Sequence, residues 1–188
     1  MKKAWFVTGT DTGVGKTTVT ASIAHGFSQL GLRVGVMKPV ETGCRPLKEE
    51  GRDDLLECSD AMTLKEAASS TSPLELINPY SFGPPISPEL AARNVGIEID
   101  FEVIGASFKK IKRTSDVILV EGAGGLLVPL ADGTGSKGGG EAMVKVGRGE
   151  AEAGQSTTMA DLASFLGLPI IIVAPSRIGV INHSMLTV

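Results

Sequence analysis

Nine consecutive residues, Gly9-Thr10-Asp11-Thr12-Gly13-Val14-Gly15-Lys16-Thr17, concentrate the chemistry of phosphate binding. Glycines at 9, 13 and 15 let the backbone curl until several N–H groups converge on one anion, and a helix starting directly afterwards adds positive potential. In such a loop Lys16 reaches the outer phosphates of a nucleotide and the Thr17 hydroxyl reaches its Mg²⁺. Five residues separate Gly9 from Gly15, where the common form of the motif has four. The competing reading is a bare glycine turn. The Gly-Lys-Thr-Thr run, with a strand before it and a helix after it, argues against that.

Two further residues suit the same chemistry. Glu121 follows Val117-Ile118-Leu119-Val120, at the carboxyl end of a buried parallel strand, where ligands bind in open α/β sheets. A carboxylate there can hold Mg²⁺ directly or through water, or it can cap a nearby helix. Lys38 also ends a strand, on the same edge, and with Lys16 would set two cations around one nucleotide. Such a pair is suited to stabilising transferred negative charge as well as to holding ATP. A lone lysine after a strand is more commonly solvated, so Lys38 needs support from elsewhere. Asp53, Asp54 and Asp60 offer spare carboxylates, and His25 and His183 have no evident partner. The Gly179-Val180-Ile181-Asn182 segment reads as a loop entering a helix, a possible anion site.

The elements that must position these groups follow from periodicity. Short apolar runs at 4–8, 33–37, 116–120 and 169–173 read as buried strands, the second ended by Pro39, which cannot donate to a ladder. Helical spacing marks 17–30, 55–68, 101–113 and 157–166. Ser87-Pro88-Glu89 opens a short helix to about Asn94, and another helix starts at Asn182. The stretch around Asn78-Pro79 and Gly83-Pro84-Pro85 reads as irregular. Alternating strands and helices predict a doubly wound α/β parallel sheet in a single domain.

Composition bounds the rest. The 188 residues carry 18 basic and 21 acidic side chains, a net charge of −3, which excludes a nucleic-acid binder acting through bulk positive charge. The longest apolar stretch, Leu168 to Ala174, is far below the roughly 20 residues of a membrane helix, and no signal peptide is evident; a cytoplasmic protein is expected. Two cysteines, Cys44 and Cys58, make neither a disulfide scaffold nor a metal-ligand pattern. Eight of the 24 glycines fall between Gly133 and Gly154, with no aromatic residue among them, so 132–155 reads as a flexible insertion.

Four motifs together resemble the dethiobiotin synthetase family: Thr8 to Thr17 with its five-residue gap, Lys38-Pro39-Val40-Glu41-Thr42-Gly43, Val120-Glu121-Gly122-Ala123-Gly124-Gly125, and Gly179-Val180-Ile181-Asn182-His183. The first alone would admit other branches of the P-loop NTPase fold, including partitioning ATPases acting as nucleotide-dependent switches. That class has a lysine early in its loop, about where this sequence has Asp11. The resemblance implies an ATP-dependent carboxylase and cyclo-ligase, active as a homodimer. Diaminopelargonic acid takes up CO₂ (from bicarbonate), the carbamate oxygen attacks the γ-phosphate, and the second amine closes a cyclic urea with release of phosphate.

By the same resemblance, Thr12, Gly13, Val14, Gly15, Lys16, Thr17 and Thr18 hold the phosphates, and Thr17, Asp60 and Glu121 surround Mg²⁺. Lys16 and Lys38 stabilise the carbamate and the transferring phosphoryl group. Gly122, Ala123 and Gly124 line the nucleotide side, and Thr42 lies beside the substrate. Val180, Ile181 and Asn182 hold the substrate carboxylate across the subunit interface. In that branch the 116–120 strand lies between the first two, which would put Gly15, Lys38 and Glu121 on one edge. Two departures from the family are the insertion and a chain that stops soon after Asn182-His183. Family members continue through strands and helices that recognise adenine, so the chain is expected to be part of a longer protein or to bind nucleotide weakly.

Overall fold

The computed structural model describes residues 3–46, 56–131 and 156–187. The proposed insertion at 132–155, and Asp53 and Asp54, lie outside the described residues. In chain order the elements are β1 (Lys3–Gly9), α1 (Lys16–Gln29), β2 (Val34–Met37), β3 (Val40–Thr42), β4 (Arg45–Pro46) and β5 (Leu56–Glu57). Then come α2 (Ser59–Ala67), α3 (Leu74–Ile77), β6 (Tyr80–Phe82), α4 (Pro88–Asn94), α5 (Phe101–Thr114) and β7 (Val117–Glu121). The series ends with β8 (Pro129–Ala131), β9 (Thr157–Thr158), α6 (Met159–Leu166), β10 (Ile170–Val173) and α7 (Val180–Met185).

The central sheet is parallel, in the order β10-β1-β7-β2, so the strand ending in Glu121 does lie between the first two. Its residues are apolar on both faces because helices cover both. Alternate residues separate into two cores. Phe6, Met37, Ile118 and Val120 face Ile104, Phe108 and Ile111 of α5 and Met159 and Leu162 of α6. Val7, Val36 and Leu119 face the other way, onto Ala24 of α1, Ala61 and Leu64 of α2, and Ile77 of α3. A one-residue slip of any strand would exchange these faces, so burial on both sides fixes the register.

Local signals agree with the tertiary arrangement. The Asp100 side chain accepts from the Glu102 amide at the start of α5, and Lys112 and Arg113 occupy its last turn, both favourable to the helix dipole. Thr158 and Asp161 form a reciprocal capping box on α6, a device worth about 1 kcal/mol.

Three features differ from the sequence reading. Pro39 does end β2, but a new strand resumes at Val40 and pairs in parallel with Tyr80–Phe82, in the stretch that read as irregular. The second sheet has only two strands of three residues each, too short for an alternating pattern to register. Cys44 and Cys58 are joined in a disulfide, with Cα atoms 4.7 Å apart. The 14-residue spacing carries no sign of that pairing, because β3 and α2 bring the two together only in the fold.

Candidate active site

The phosphate loop is built on β1 and α1. Gly15 occupies the N-cap of α1 with φ of 94° and no side-chain cap, so the first-turn N–H groups are left available to an anion. A residue other than glycine would be strained at that φ. Lys16 arches back over the loop, its Nζ donating to the Asp11 carbonyl at 2.9 Å. Burial, and then the neighbouring Lys38 charge, pull the Lys16 ammonium below its ordinary range, with Glu121, Asp60 and Asp11 opposing. An incoming polyphosphate would oppose both causes by adding an attracting negative charge beside the ammonium.

Lys38 is placed by sheet register. Met37 pairs with Val120, so the next residues, Lys38 and Glu121, emerge side by side at the carboxyl end. The Lys38 Nζ donates to Glu121 Oε1 at 2.6 Å and to Asp60 Oδ2 at 2.8 Å. Lys38 and Glu121 are buried, whereas the Asp60 side chain is 37% exposed. Burial would drive Lys38 to lose its proton, but the two carboxylates outweigh it and raise its pKa. Burial also opposes ionisation of Asp60, yet the charge and hydrogen bond of Lys38, the nearby Thr17 hydroxyl and the charge of Lys16 hold its carboxyl below the usual range. The paired carboxylates favour the charged form of Lys38, whose backbone is tethered by Asn78, the Nδ2 of which donates to the Lys38 carbonyl at 2.7 Å.

The donor set suits a hard divalent cation. Glu121 Oε1 accepts from Thr17 Oγ1 at 2.8 Å as well as from Lys38, while its other oxygen, Oε2, is buried without a hydrogen-bond partner. A buried carboxylate oxygen without a partner is costly. Together with the Thr17 hydroxyl and Asp60 it offers oxygen donors of the kind Mg²⁺ prefers, with the Lys38 ammonium between the two carboxylates.

These groups open into one cleft of about 710 Å³. Thr12, Gly13, Gly15, Lys16, Thr17 and Thr18 line one side, Lys38, Glu41, Thr42 and Asp60 the floor, and Ala123 and Gly124 the other side. The two glycine loops nearly touch: a Cβ on Gly125 would lie 3.2 Å from the Gly9 carbonyl oxygen. Three members of the expected set, Val14, Glu121 and Gly122, stand behind the cleft surface, Glu121 fully buried. Val14 packs with the α1-side core, and Gly122 lies against the Phe6 ring, donating its N–H to the Val7 carbonyl. Val180, Ile181 and Asn182 are not brought to this cleft. They form the first turn of α7, with Ile181 and Asn182 exposed.

Sequence reasoning assigned no role to two residues here. Glu41 is buried and accepts hydrogen bonds from the Asp60 and Ala61 amides, both at 2.9 Å. Its place inside a quoted motif, between Val40 and Thr42, was the available signal. Asn78 read only as turn punctuation before Pro79. The far wall, formed by Pro85, Ile86, Ser87 and Pro88, comes from a segment whose sequence signals only a turn and a helix start.

Comparison with known proteins gives a consistent result. A family described as an AAA domain matches residues 3–135. The chain is 40% identical over 187 residues to the ATP-dependent dethiobiotin synthetase BioD of Thermodesulfovibrio yellowstonii, covering all of this chain and 69% of the relative. It is 41% identical to the enzyme of the same name from Nitrosospira multiformis, with the same coverage. Identity to that of Aromatoleum aromaticum is 36% over 186 residues, or 70% of the relative. None of these carries the name of a partitioning ATPase, the alternative that the loop alone had left open. The match spans the whole chain, and the chain belongs to the ATP-dependent dethiobiotin synthetase family.

Proposed function

We propose that this chain forms dethiobiotin from diaminopelargonic acid, CO₂ and ATP, releasing ADP and phosphate, as a cytoplasmic homodimer. The observation that carries the reading is the Lys38 ammonium, held between Glu121 and Asp60 beside the phosphate loop. A carbamate is an anion, and its oxygen must approach the γ-phosphate, itself anionic. Two lysines facing one cleft reduce that repulsion. Lys16 serves the phosphate side, and Lys38 stands toward Thr42, where the diamine would lie.

Carbamate formation joins one substrate nitrogen to the CO₂ carbon and releases a proton. Phosphoryl transfer then makes a carbamic–phosphoric anhydride and ADP. Attack by the second amine on the carbonyl carbon expels phosphate and closes the urea. The backbone of Gly13 to Thr18 orients the triphosphate tail, and the segment Gly122 to Gly124 borders the nucleotide side. Thr17, Asp60 and Glu121 would hold Mg²⁺, whose chemistry here is neutralisation of phosphate charge. The exposed Ile178, Ile181, Met185 and Leu186 around α7 support the dimer reading, since they offer an apolar surface for a second copy.

The test is direct. With Mg·ATP, labelled bicarbonate and diaminopelargonic acid, label should appear in a cyclic urea in equal amounts with released phosphate. Phosphate release that ignores the diamine and responds to a protein or DNA partner would overturn the assignment.

A further inference from the structure

The helix that presents Asp60 has no cap of its own. Cys58 sits at the N-cap of α2 and makes no side-chain hydrogen bond to the first turn, and its sulfur is committed to Cys44. The cap comes from another element. Glu41, on β3, directs both carboxylate oxygens at the helix start: Oε1 accepts from the Asp60 amide and Oε2 from the Ala61 amide. Two N–H donors of the first turn are satisfied by one buried anion at the positive end of the helix.

The same short stretch, Lys38 to Glu41, therefore holds both ends of one contact. Lys38 provides the ammonium that Asp60 meets, and Glu41 fixes the backbone from which the Asp60 side chain projects. We propose that Glu41 is a positioning residue, which sets the Asp60 carboxylate against Lys38 by capping α2 from β3. The Cys44–Cys58 bond ties the same two segments a few residues away, so the junction is held at two points. Weakening the Glu41 contacts removes one of these two ties and leaves the Asp60 and Ala61 amides unanswered, without touching the phosphate loop. An error of about 1 Å in placing a reacting group can cost on the order of 100-fold in rate.

This inference rests on the proposed ligase activity for its kinetic arm and on nothing but the fold for its other arm. Glu41→Gln keeps the shape but replaces one acceptor oxygen with an NH₂ that cannot accept. In wild type, amide exchange at Asp60 and Ala61 should be slow; in E41Q it should speed up by about tenfold or more at those two sites. Exchange in α1 should not change.

In the kinetic arm, E41Q should lower kcat for cyclic urea formation by about 10- to 100-fold, with the ATP dissociation constant changed less than about twofold, and E41D should restore part of the loss. Because Glu41 acts through Asp60, the double variant E41Q/D60N should be little slower than D60N alone. Unchanged exchange at Asp60 and Ala61 would overturn the proposal, as would kinetic losses that multiply in the double variant, the mark of Glu41 touching the diamine itself. If wild type makes no cyclic urea, the proposed function fails, while the exchange arm still decides whether Glu41 caps α2.

Discussion

The phosphate loop and the Lys38 cluster face the same cleft but are made in opposite ways. The loop is contiguous: a strand end, glycines and a helix start within nine residues place Lys16 and Thr17 whatever the rest of the molecule does. The cluster draws Lys38, Asp60 and Glu121 from β2, α2 and β7, separated by up to 83 residues, and joins them only where sheet register allows. The loop turns backbone N–H groups toward the place where an anion would sit. The cluster instead buries charges that must already be paired. Damage to the first should therefore weaken binding and chemistry, whereas damage to the second should also weaken the fold.

The largest expected effect is at Lys38. K38A leaves Glu121 buried with only Thr17 to answer it, and breaking a buried pair costs about 3–5 kcal/mol. Urea unfolding should show that loss together with abolished urea synthesis. A stable K38A protein would mean that the cluster is no more integral to the fold than the loop.

K16A should separate the two properties. Loss of one electrostatic donor lowers turnover by about 10²- to 10³-fold. Stability should fall by only about 1 kcal/mol, the worth of its hydrogen bond to the Asp11 carbonyl. Comparable unfolding midpoints for K16A and K38A would erase the distinction.

Gly15→Ala tests the loop's backbone. Nothing lies within 4 Å of an added Cβ, so the cost is purely the positive φ, about 1–2 kcal/mol. ATP affinity should drop with it, and the Lys38 contacts should not change. The same substitution causing no loss of affinity would mean that the curl of the loop is not what binds phosphate.

The smallest effect concerns the chain's sole tyrosine. Tyr80 stands on β6, behind the cluster, and its hydroxyl accepts from the Asp100 amide at 2.9 Å. Burial, and the nearby Asp100 and Glu98 charges, raise its pKa above the ordinary 10.0, although the Asp100 amide works the other way. The unfolded chain loses this proton first, so Tyr80 adds its full share of stability below pH 10 and loses it as pH rises through the folded value. Phenolate absorbance should titrate above 10 in both wild type and K16A. A midpoint at or below 10 would show that the core edge where Tyr80 packs is open to water.

How far each region was legible follows from the same contrast. The strands at 4–8, 33–37, 116–120 and 169–173 were visible because strands covered on both faces are continuous apolar runs. They correspond to β1, β2, β7 and β10 within one or two residues. The 17–30 helix matches α1, while 55–68 overran α2, which starts at Ser59. β3 and β6 escaped notice because three residues cannot show a period. Asp60 was one of three spare carboxylates by residue type, and only the resemblance selected it.

The sequence by itself determined the phosphate loop, the α/β alternation and the strand ends that carry Lys38 and Glu121. Each of these is written in neighbouring residues, through backbone freedom and hydrophobic period. Tertiary structure alone decided that one ammonium would bridge Asp60 and Glu121, that Cys44 would meet Cys58, and that Glu41 would cap a helix nineteen positions away. Those contacts depend on register and on packing between elements, and a buried charge finds its partner by position in space, which no local pattern encodes.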